Sequence, residues 1–492
     1  MSALEPSRAE LEAWLSLVAT AGFDAIERAG AAPAHGAIGA QGHAVAQAVS
    51  TPFAEAPHEG GMAALIDKVL AASEASLNTI SPGYLAYVPG GGIPTAALAD
   101  LLACLLNRFT GLTAAAPALC RLEADVLAWL AAQFGLPSTA RGLLTSGGSL
   151  ANLAAIVTAR HAVLGDDGHL YDAIVYTSAQ AHASIEKAVR VAGIPAANVR
   201  HVPCDAQFRM DAAALLRAIE ADRAAGLRPL CVVSTAGTTN TGAIDPLLAI
   251  AEIAAQRGLW HHVDGAYGGA FVLCDDGRAR LRGIERADSI TFDPHKGMFL
   301  PYGTGALLVR DGAALRAAHQ LHAPYLQDFD ALDRGGEAPS PTDHGPELSR
   351  DFRGLRLWLP LLLHGAAAFR DALAEKLRLA DRLHAGLRAA AEAGAPIEIV
   401  AAPQLSCVAW RARRAPQESA QAHDARNAAW LARINARARV HLSSTVVPGR
   451  DGADPGEPAA PRFTLRACVL SFRTHGAHVE AALEDILATA PA

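Results

Sequence analysis

The chain has 492 residues, 51% of them apolar and 18% charged, with a formal net charge of −7. Such a length exceeds one ordinary hydrophobic core, so two or three subdomains around a large central one are expected. The apolar content excludes general disorder, and the negative charge argues against a nucleic-acid or anionic-membrane partner, leaving a small molecule as the default ligand. The seven cysteines (Cys104, Cys120, Cys204, Cys231, Cys274, Cys407 and Cys468) are scattered without a CxxC pair. Neither a disulfide framework nor a zinc ribbon is indicated, and a reducing compartment is expected. Glu5, Glu10 and Glu12 interrupt any signal-peptide pattern and no apolar run reaches bilayer length, so cytoplasm is the expected location.

In chain order, LEAWLSLVATAGFDAIER carries apolar residues at helical spacing, and AAPAHGAIGAQGH reads as a small-residue linker. Met62 to Leu77 is a second amphipathic helix, stopped by a turn over Asn78 to Gly83. These segments form an N-terminal helical arm, 1–90, with too little core of its own and suited to packing on a partner subunit. SPGYLAYVPGGGIP is a loop whose Tyr84 and Tyr87 either line a substrate pocket or pack on the core. Ala96 to Leu136 is mostly helix, broken around Thr110 to Pro117. Leu143 and Leu144 lead into SGGS and a helix starting near Leu150. A turn of that kind offers free N–H groups and the positive end of a helix dipole to an anion, although many such turns are only caps.

Strands and helices then alternate: strand Ala173 to Thr177, helix Ser184 to Ala192, strand Val199 to Pro203, helix Ala212 to Ala224, strand Leu230 to Thr235, helix Leu247 to Arg257, strand Trp260 to Asp264. This pattern means a mainly parallel sheet with helices on both faces, and ligands gather at the carboxyl ends of its strands. His182, Thr239, Asp264 and Lys296 each follow an apolar strand, so one crevice can hold all four. His261, His262 and Asp264 are all metal-ligand types, but neighbours on a strand point to opposite faces, which disfavours a metal site.

Asp288 to Phe292 alternates like a buried strand, Pro294 and Gly297 break regular structure, and Gly305 to Val309 resumes an apolar run. Lys296 is thereby held in a turn between two strands, beside His295 and without a run of carboxylates, which favours a partly desolvated, nucleophilic amine of the kind that forms Schiff bases. Asp311 to Gly345 is expected to be a long mobile loop of lid type. Leu355 to Ala374 is a long apolar helix. Strands are expected near Ile397 to Val400, Leu405 to Ala409, Val440 to Thr445 and Phe463 to Ser471, in a smaller α+β domain.

Five motifs in order, TSGGSLAN (145–152), QAHASIEKA (180–188), AGTTNTGAIDPL (236–247), HVDGAYGG (262–269) and DPHK (293–296), resemble the pyridoxal-phosphate dependent group II decarboxylases. The resemblance covers nearly the whole chain and is weakest before residue 60. It implies the fold type I, PLP-dependent transferase-like α/β architecture: the arm at 1–90, a large cofactor-binding domain at 91–376 and a small C-terminal domain at 377–492. It also implies a homodimer with the active site at the subunit interface, and an amino-acid substrate.

Carried over residue by residue, the resemblance makes Lys296 the lysine that bonds pyridoxal 5′-phosphate and Asp264 the partner that keeps the cofactor's ring nitrogen protonated. His182 would stack on the ring and touch substrate, Ala266 would lie beneath its other face, and Thr239 would contact it. Gly148 and Ser149 match the phosphate-binding pair, and His295 would add a phosphate or carboxylate contact. Asp293 departs from the family's asparagine and would bring a negative charge near the phosphate unless another group neutralises it. Tyr325 lies where the family carries the tyrosine that reprotonates the substrate carbon. Tyr87 and Val88 would border the substrate; with Thr79 and Gly111, Val88 replaces aromatic wall residues of the aromatic-amino-acid enzymes, leaving the substrate open. Simple decarboxylation is the leading expectation. An aldehyde-forming synthase, another carbon–carbon lyase and a non-catalytic scaffold are the alternatives.

Overall fold

The computed structural model describes residues 4–36, 38–166, 168–320, 339–449 and 460–491. Its centre is a seven-stranded sheet built from β1 (Arg141–Thr145), β2 (Ala173–Ser178), β3 (Val199–Val202), β4 (Arg228–Thr235), β5 (Trp260–Asp264), β6 (Ser289–Phe292) and β7 (Gly305–Val309), in the order β1-β7-β6-β5-β4-β2-β3. Strands β6, β5, β4, β2 and β3 run parallel, and β7 is antiparallel to both β6 and β1. Val232, Val233, Val263 and Ile290 are fully buried, as continuous apolar strands covered on both faces should be. The expected alternation is found, with boundaries shifted by a residue or two, as strand and helix ends usually are.

A second, four-stranded antiparallel sheet contains β8 (Ile397–Ala401), β9 (Cys407–Ala412), β10 (Ser443–Pro448) and β11 (Pro461–Cys468) in the order β10-β11-β9-β8. A long helix, Gly354–Glu392, joins the two sheets, with Pro360 inside it and a break at Gly365, whose φ of 74° only glycine adopts freely. Past the break, its Phe369, Leu373 and Leu377 belong to the large core and its Leu379, Ala380, Leu383 and Leu387 to the small one.

Three differences from expectation have local causes. Part of the segment read as linker is helical: Ala40–Val49 follows Gly39, whose φ of 65° turns the chain into it. The helix expected at Met62 to Leu77 runs from Gly61 to Glu74, and Gly36 N–H bonds the Ser76 carbonyl just past its end. Asp311 to Gly345 does not begin as a loop, because the Asp311 carboxylate accepts from Ala313 N–H and caps a helix at Gly312–His319. Residues 321–338 of that segment lie outside the described ones.

The arm helices Arg8–Arg28, Ala40–Val49 and Gly61–Glu74 bury no residue in this chain. Leu11, Leu15, Val18 and Phe23 of the arm are exposed, as are Leu98, Leu101, Leu102 and Leu105 on the helix Pro94–Leu106 and Leu362 and Leu363 on the long helix. No helix among the described residues is long and apolar enough to cross a membrane.

One buried ion pair fastens the edge of the large sheet. Arg350 Nη2 lies 2.7 Å from Glu123 Oε1, with side chains 0% and 3% exposed. The same glutamate accepts from Gly354 N–H at the start of the long helix, and the same arginine donates to the Leu144 carbonyl of β1. Breaking one half of a buried pair strands the other charge. Glu123→Ala is therefore expected to lose about 3–5 kcal/mol of unfolding free energy in a urea titration, and Glu123→Gln less; a loss under about 1 kcal/mol would contradict the pair's role.

Candidate active site

A cavity of about 290 Å³ opens at the carboxyl ends of the parallel strands. The chain after β1 supplies Ser146, Gly147 and Gly148; that after β2, His182; that after β4, Gly237 and Thr239; and β5 with its turn, Asp264 and Ala266. The turn after β6 supplies Asp293, His295 and Lys296. Every sequence-derived candidate of the large sheet thus lines one space, including Ser149. Parallel strands cause this convergence, since all their crossovers leave from one edge of the sheet.

The floor is a closed hydrogen-bond network. Asp264, 4% exposed, accepts from Ala266 N–H through Oδ1 (3.1 Å) and from Asn152 Nδ2 through Oδ2 (3.2 Å). Asn152 also donates to Ser184 Oγ (3.0 Å), and its Oδ1 accepts from His262 Nε2 (3.0 Å). The Ser184 N–H donates to His182 Nδ1 (3.2 Å) and its hydroxyl lies 2.8 Å from the same nitrogen. His182 Nδ1 is therefore an acceptor, and the neutral ring carries its hydrogen on Nε2. His261, on the other face of β5, pairs with Ser234 instead (2.8 Å), as strand alternation requires.

Asn152 and Ser184 were not singled out from the sequence, although both stand inside the motifs. The signal was present in their spacing: Asn152 follows Gly148 by four residues, on the same helix face one turn further in.

At the opposite wall the helix Gly148–Leu164 begins at Gly147 with no side-chain cap. Its first N–H groups point into the cavity with the positive end of the helix dipole. Gly305 lets the chain pass beneath: a Cβ there would lie 2.5 Å from the Gly147 backbone carbon. Two buried oxygens of the cavity, Thr235 Oγ1 and Asp293 Oδ1, have no hydrogen-bond partner among the described residues.

Lys296 sits in a single helical turn, Pro294–Gly297. Its surroundings differ from expectation. The turn folds Asp293 back on it, leaving Nζ 2.9 Å from Asp293 Oδ2, so the amine faces a carboxylate rather than an apolar wall. His295 donates from Nδ1 to the Thr304 carbonyl (2.6 Å), and burial pushes its pKa down, with Asp293 opposing.

Two candidates lie elsewhere. Val88 packs against the large core and Tyr87 is 58% exposed with a φ of 53°, and neither lines the cavity. The loop nonetheless touches the site turn, since a Cβ on Gly90 would meet the His295 carbonyl at 2.1 Å. Tyr84 resolves to packing: it is buried and stacks on His441, ring centroids 5.8 Å apart. Gly111 does not leave a gap, because the Phe109 ring lies 2.6 Å from where its Cβ would be. Tyr325 is outside the described residues.

An uncapped helix start suits a phosphate, a buried carboxylate suits a protonated ring nitrogen, and a lysine amine between them suits an aldehyde. Fold and cavity together define a pyridoxal-phosphate enzyme. The pyridoxal-dependent decarboxylase conserved domain matches residues 58–413. Aromatic-L-amino-acid decarboxylase of Bacillus atrophaeus is 37% identical over 334 residues, 67% of each chain. Phenylacetaldehyde synthase of Petunia hybrida is 34% identical over 310 residues, 61% of each. The crystal structure of Oryza sativa TDC with PLP and tryptamine superposes with a TM-score of 0.87 at 29% identity, covering 99% of both chains. The chain belongs to the pyridoxal-dependent decarboxylase family.

The buried histidines of β5 set a pH dependence. Burial pushes the His261 pKa to about 3 and the His262 pKa to about 4, against 6.5 in the unfolded chain. Below 6.5 the unfolded state binds protons that the folded state refuses, so stability is full above pH 6.5 and is lost as pH falls toward 4. Each histidine contributes at most about 1.4 kcal/mol per pH unit. Urea titrations between these limits should show His261→Gln with a shallower fall than the native chain; identical slopes would mean that His261 is not held neutral.

Proposed function

We propose that this enzyme converts an aromatic L-amino acid to its amine and carbon dioxide, with Lys296 as the residue that bonds the cofactor aldehyde. The observation that carries the reading is the placing of Lys296 and Asp264 in one cavity beneath an uncapped helix start. When bound, pyridoxal phosphate supplies an electron sink conjugated to the substrate's Cα.

The N–H groups of Gly148 and Ser149 would hold the phosphate, with His295 beside them. Asp264 would hold a proton at the ring nitrogen; Asn152, whose amide orientation is fixed by His262, keeps that carboxylate from turning away. Ala266 would leave room for the ring, and His182, its Nδ1 pinned by Ser184, would offer it Nε2–H. Thr239 closes the side of the cavity. Orienting the bound amino acid would fall to these groups, since the orientation held in a site selects which bond reacts. Tyr325 then returns a proton to Cα, an assignment that rests on sequence resemblance.

Support for an aromatic substrate comes from the named relatives. We also infer a homodimer with the site at its interface: the three arm helices bury no residue in their own chain, and the exposed leucines of Pro94–Leu106 offer them a matching apolar face. An aldehyde-forming reaction is the second reading, favoured by the synthase among the relatives.

Incubation of the purified enzyme with a panel of L-amino acids, assaying carbon dioxide, amine and aldehyde together, should give carbon dioxide and amine in equal amounts, with aromatic substrates preferred at least ~10-fold in kcat/KM. Lys296→Ala should lower turnover by on the order of 10³-fold or more. Tyr325→Phe should suppress amine or divert product to aldehyde. Aldehyde from the unaltered enzyme would replace the first reading by the second, and undiminished amine output by Tyr325→Phe would remove that tyrosine from the mechanism. A sedimentation mass of one chain would sink the dimer.

A further inference from the structure

The side chain of Asp293 is only 3% exposed, and among the described residues its Oδ1 has no hydrogen-bond partner. Its two oxygens lie 2.9 and 3.2 Å from the point that a Cβ on Gly148 would occupy. The carboxylate therefore abuts the first turn of the helix at which the phosphate is proposed to dock. Its charge is balanced by Lys296 Nζ at 2.9 Å. His295 Nε2 is further away, at 3.7 Å, and its Nδ1 hydrogen is committed to the Thr304 carbonyl. Across the cavity stand Asp264 and His182, and beside His295 lies Tyr302, with ring centroids 5.8 Å apart. Among the described residues no arginine and no second lysine lines the cavity.

A phosphate arriving at Gly148 and Ser149 brings up to two negative charges beside one already present, with a single ammonium to offset them. Unlike charges drawn together in a dry corner are stabilised, and like charges are not. We propose that Asp293 makes cofactor loading proton-linked: docking of the phosphate takes up one proton from solvent, held between the Asp293 carboxyl and a phosphate oxygen. The proton leaves a buffer acid or hydronium and forms an O–H bond in the carboxyl–phosphate pair; no bond between heavy atoms is made or broken, and the proton is the only co-reactant. Asp293 acts here as a positioning residue for charge, and the inference rests on the proposed phosphate site at Gly148 and Ser149.

The sign follows from linkage. A complex that holds one more proton than its free components loses affinity as pH rises, by up to tenfold per pH unit. An asparagine at 293 keeps the shape and removes the charge, so nothing calls for the extra proton.

The test uses the cofactor-free enzyme and pyridoxamine 5′-phosphate, which cannot bond Lys296, so that no covalent step intrudes. Titration calorimetry in two buffers of different ionisation enthalpy counts the protons directly. Between pH 7 and 8 the native enzyme should take up about one proton per ligand more than Asp293→Asn, whose remaining uptake is that of the ring nitrogen facing Asp264. Asp293→Asn should bind tighter than the native enzyme by a margin that widens close to tenfold over that unit. Pyridoxamine, lacking the phosphate, should show no difference between the two proteins. Parallel affinity curves for native enzyme and Asp293→Asn, with binding intact, would overturn the proposal and leave the cofactor site standing. Binding of pyridoxamine 5′-phosphate by neither protein would overturn both.

Discussion

A carboxylate buried without water must be held by hydrogen bonds or it cannot remain where the fold puts it. In this enzyme that condition falls on Asp264, and the Asn152 amide meets it. One side chain joins three elements: it reaches from the helix Gly148–Leu164 to β5 through Asp264 and His262, and to the start of the helix Ser184–Val191 through Ser184. Ser289 on β6 completes the arrangement, accepting from Trp260 Nε1 and facing His262 Nδ1, each at 2.8 Å. Each donor in the chain has one acceptor, so the amide, the imidazole and the hydroxyls fix one another's orientation. The floor of the cavity is rigid because it is fully satisfied.

Above that floor the cavity is deliberately less satisfied. Among the described residues Thr235 Oγ1 and Asp293 Oδ1 are buried without hydrogen-bond partners, and the helix at Gly148 starts without a side-chain cap. Unpaired groups of this kind cost stability unless a ligand meets them. Other buried polar atoms without a partner among the described residues, such as Trp410 Nε1 and Arg466 Nε, lie away from the cavity. Thr235 and Asp293 share one space with Lys296 and the bare helix start, and that combination marks a binding site. The ion pair of Lys296 with Asp293 belongs to the same economy of charge, since it offsets a carboxylate that no other cation of the cavity approaches.

Much of this was legible before any coordinates. Period-two and period-3.6 patterning located the strands and helices from Ala173 to Asp264 to within a few residues, because buried parallel strands are continuously apolar and their covering helices are not. The residues at strand ends were also readable, since in a parallel sheet those ends share one edge. Other features required three dimensions. That Asn152 would tie Asp264 to Ser184 depends on how a helix crosses a sheet, which spacing alone does not specify. The Asp293 contact was missed because a proline was taken to break structure, whereas Pro294 opens a helical turn that brings positions 293 and 296 together. Val88 packs on the core beside an exposed Tyr87, and the Phe109 ring fills space next to Gly111. Both depend on the path of a loop.

The long helix after Gly365 passes from the large core to the small one with neither glycine nor proline between Phe369 and His384. Leu377 is seated in the first core and Leu379 in the second, so the two bodies share a single stiff axle instead of a joint. Torque applied to one is delivered to the other. A clamshell motion about that axle would have to snap hydrogen bonds along its length, which leaves shorter segments at the rim, rather than wholesale rotation, as the route by which a molecule enters and departs.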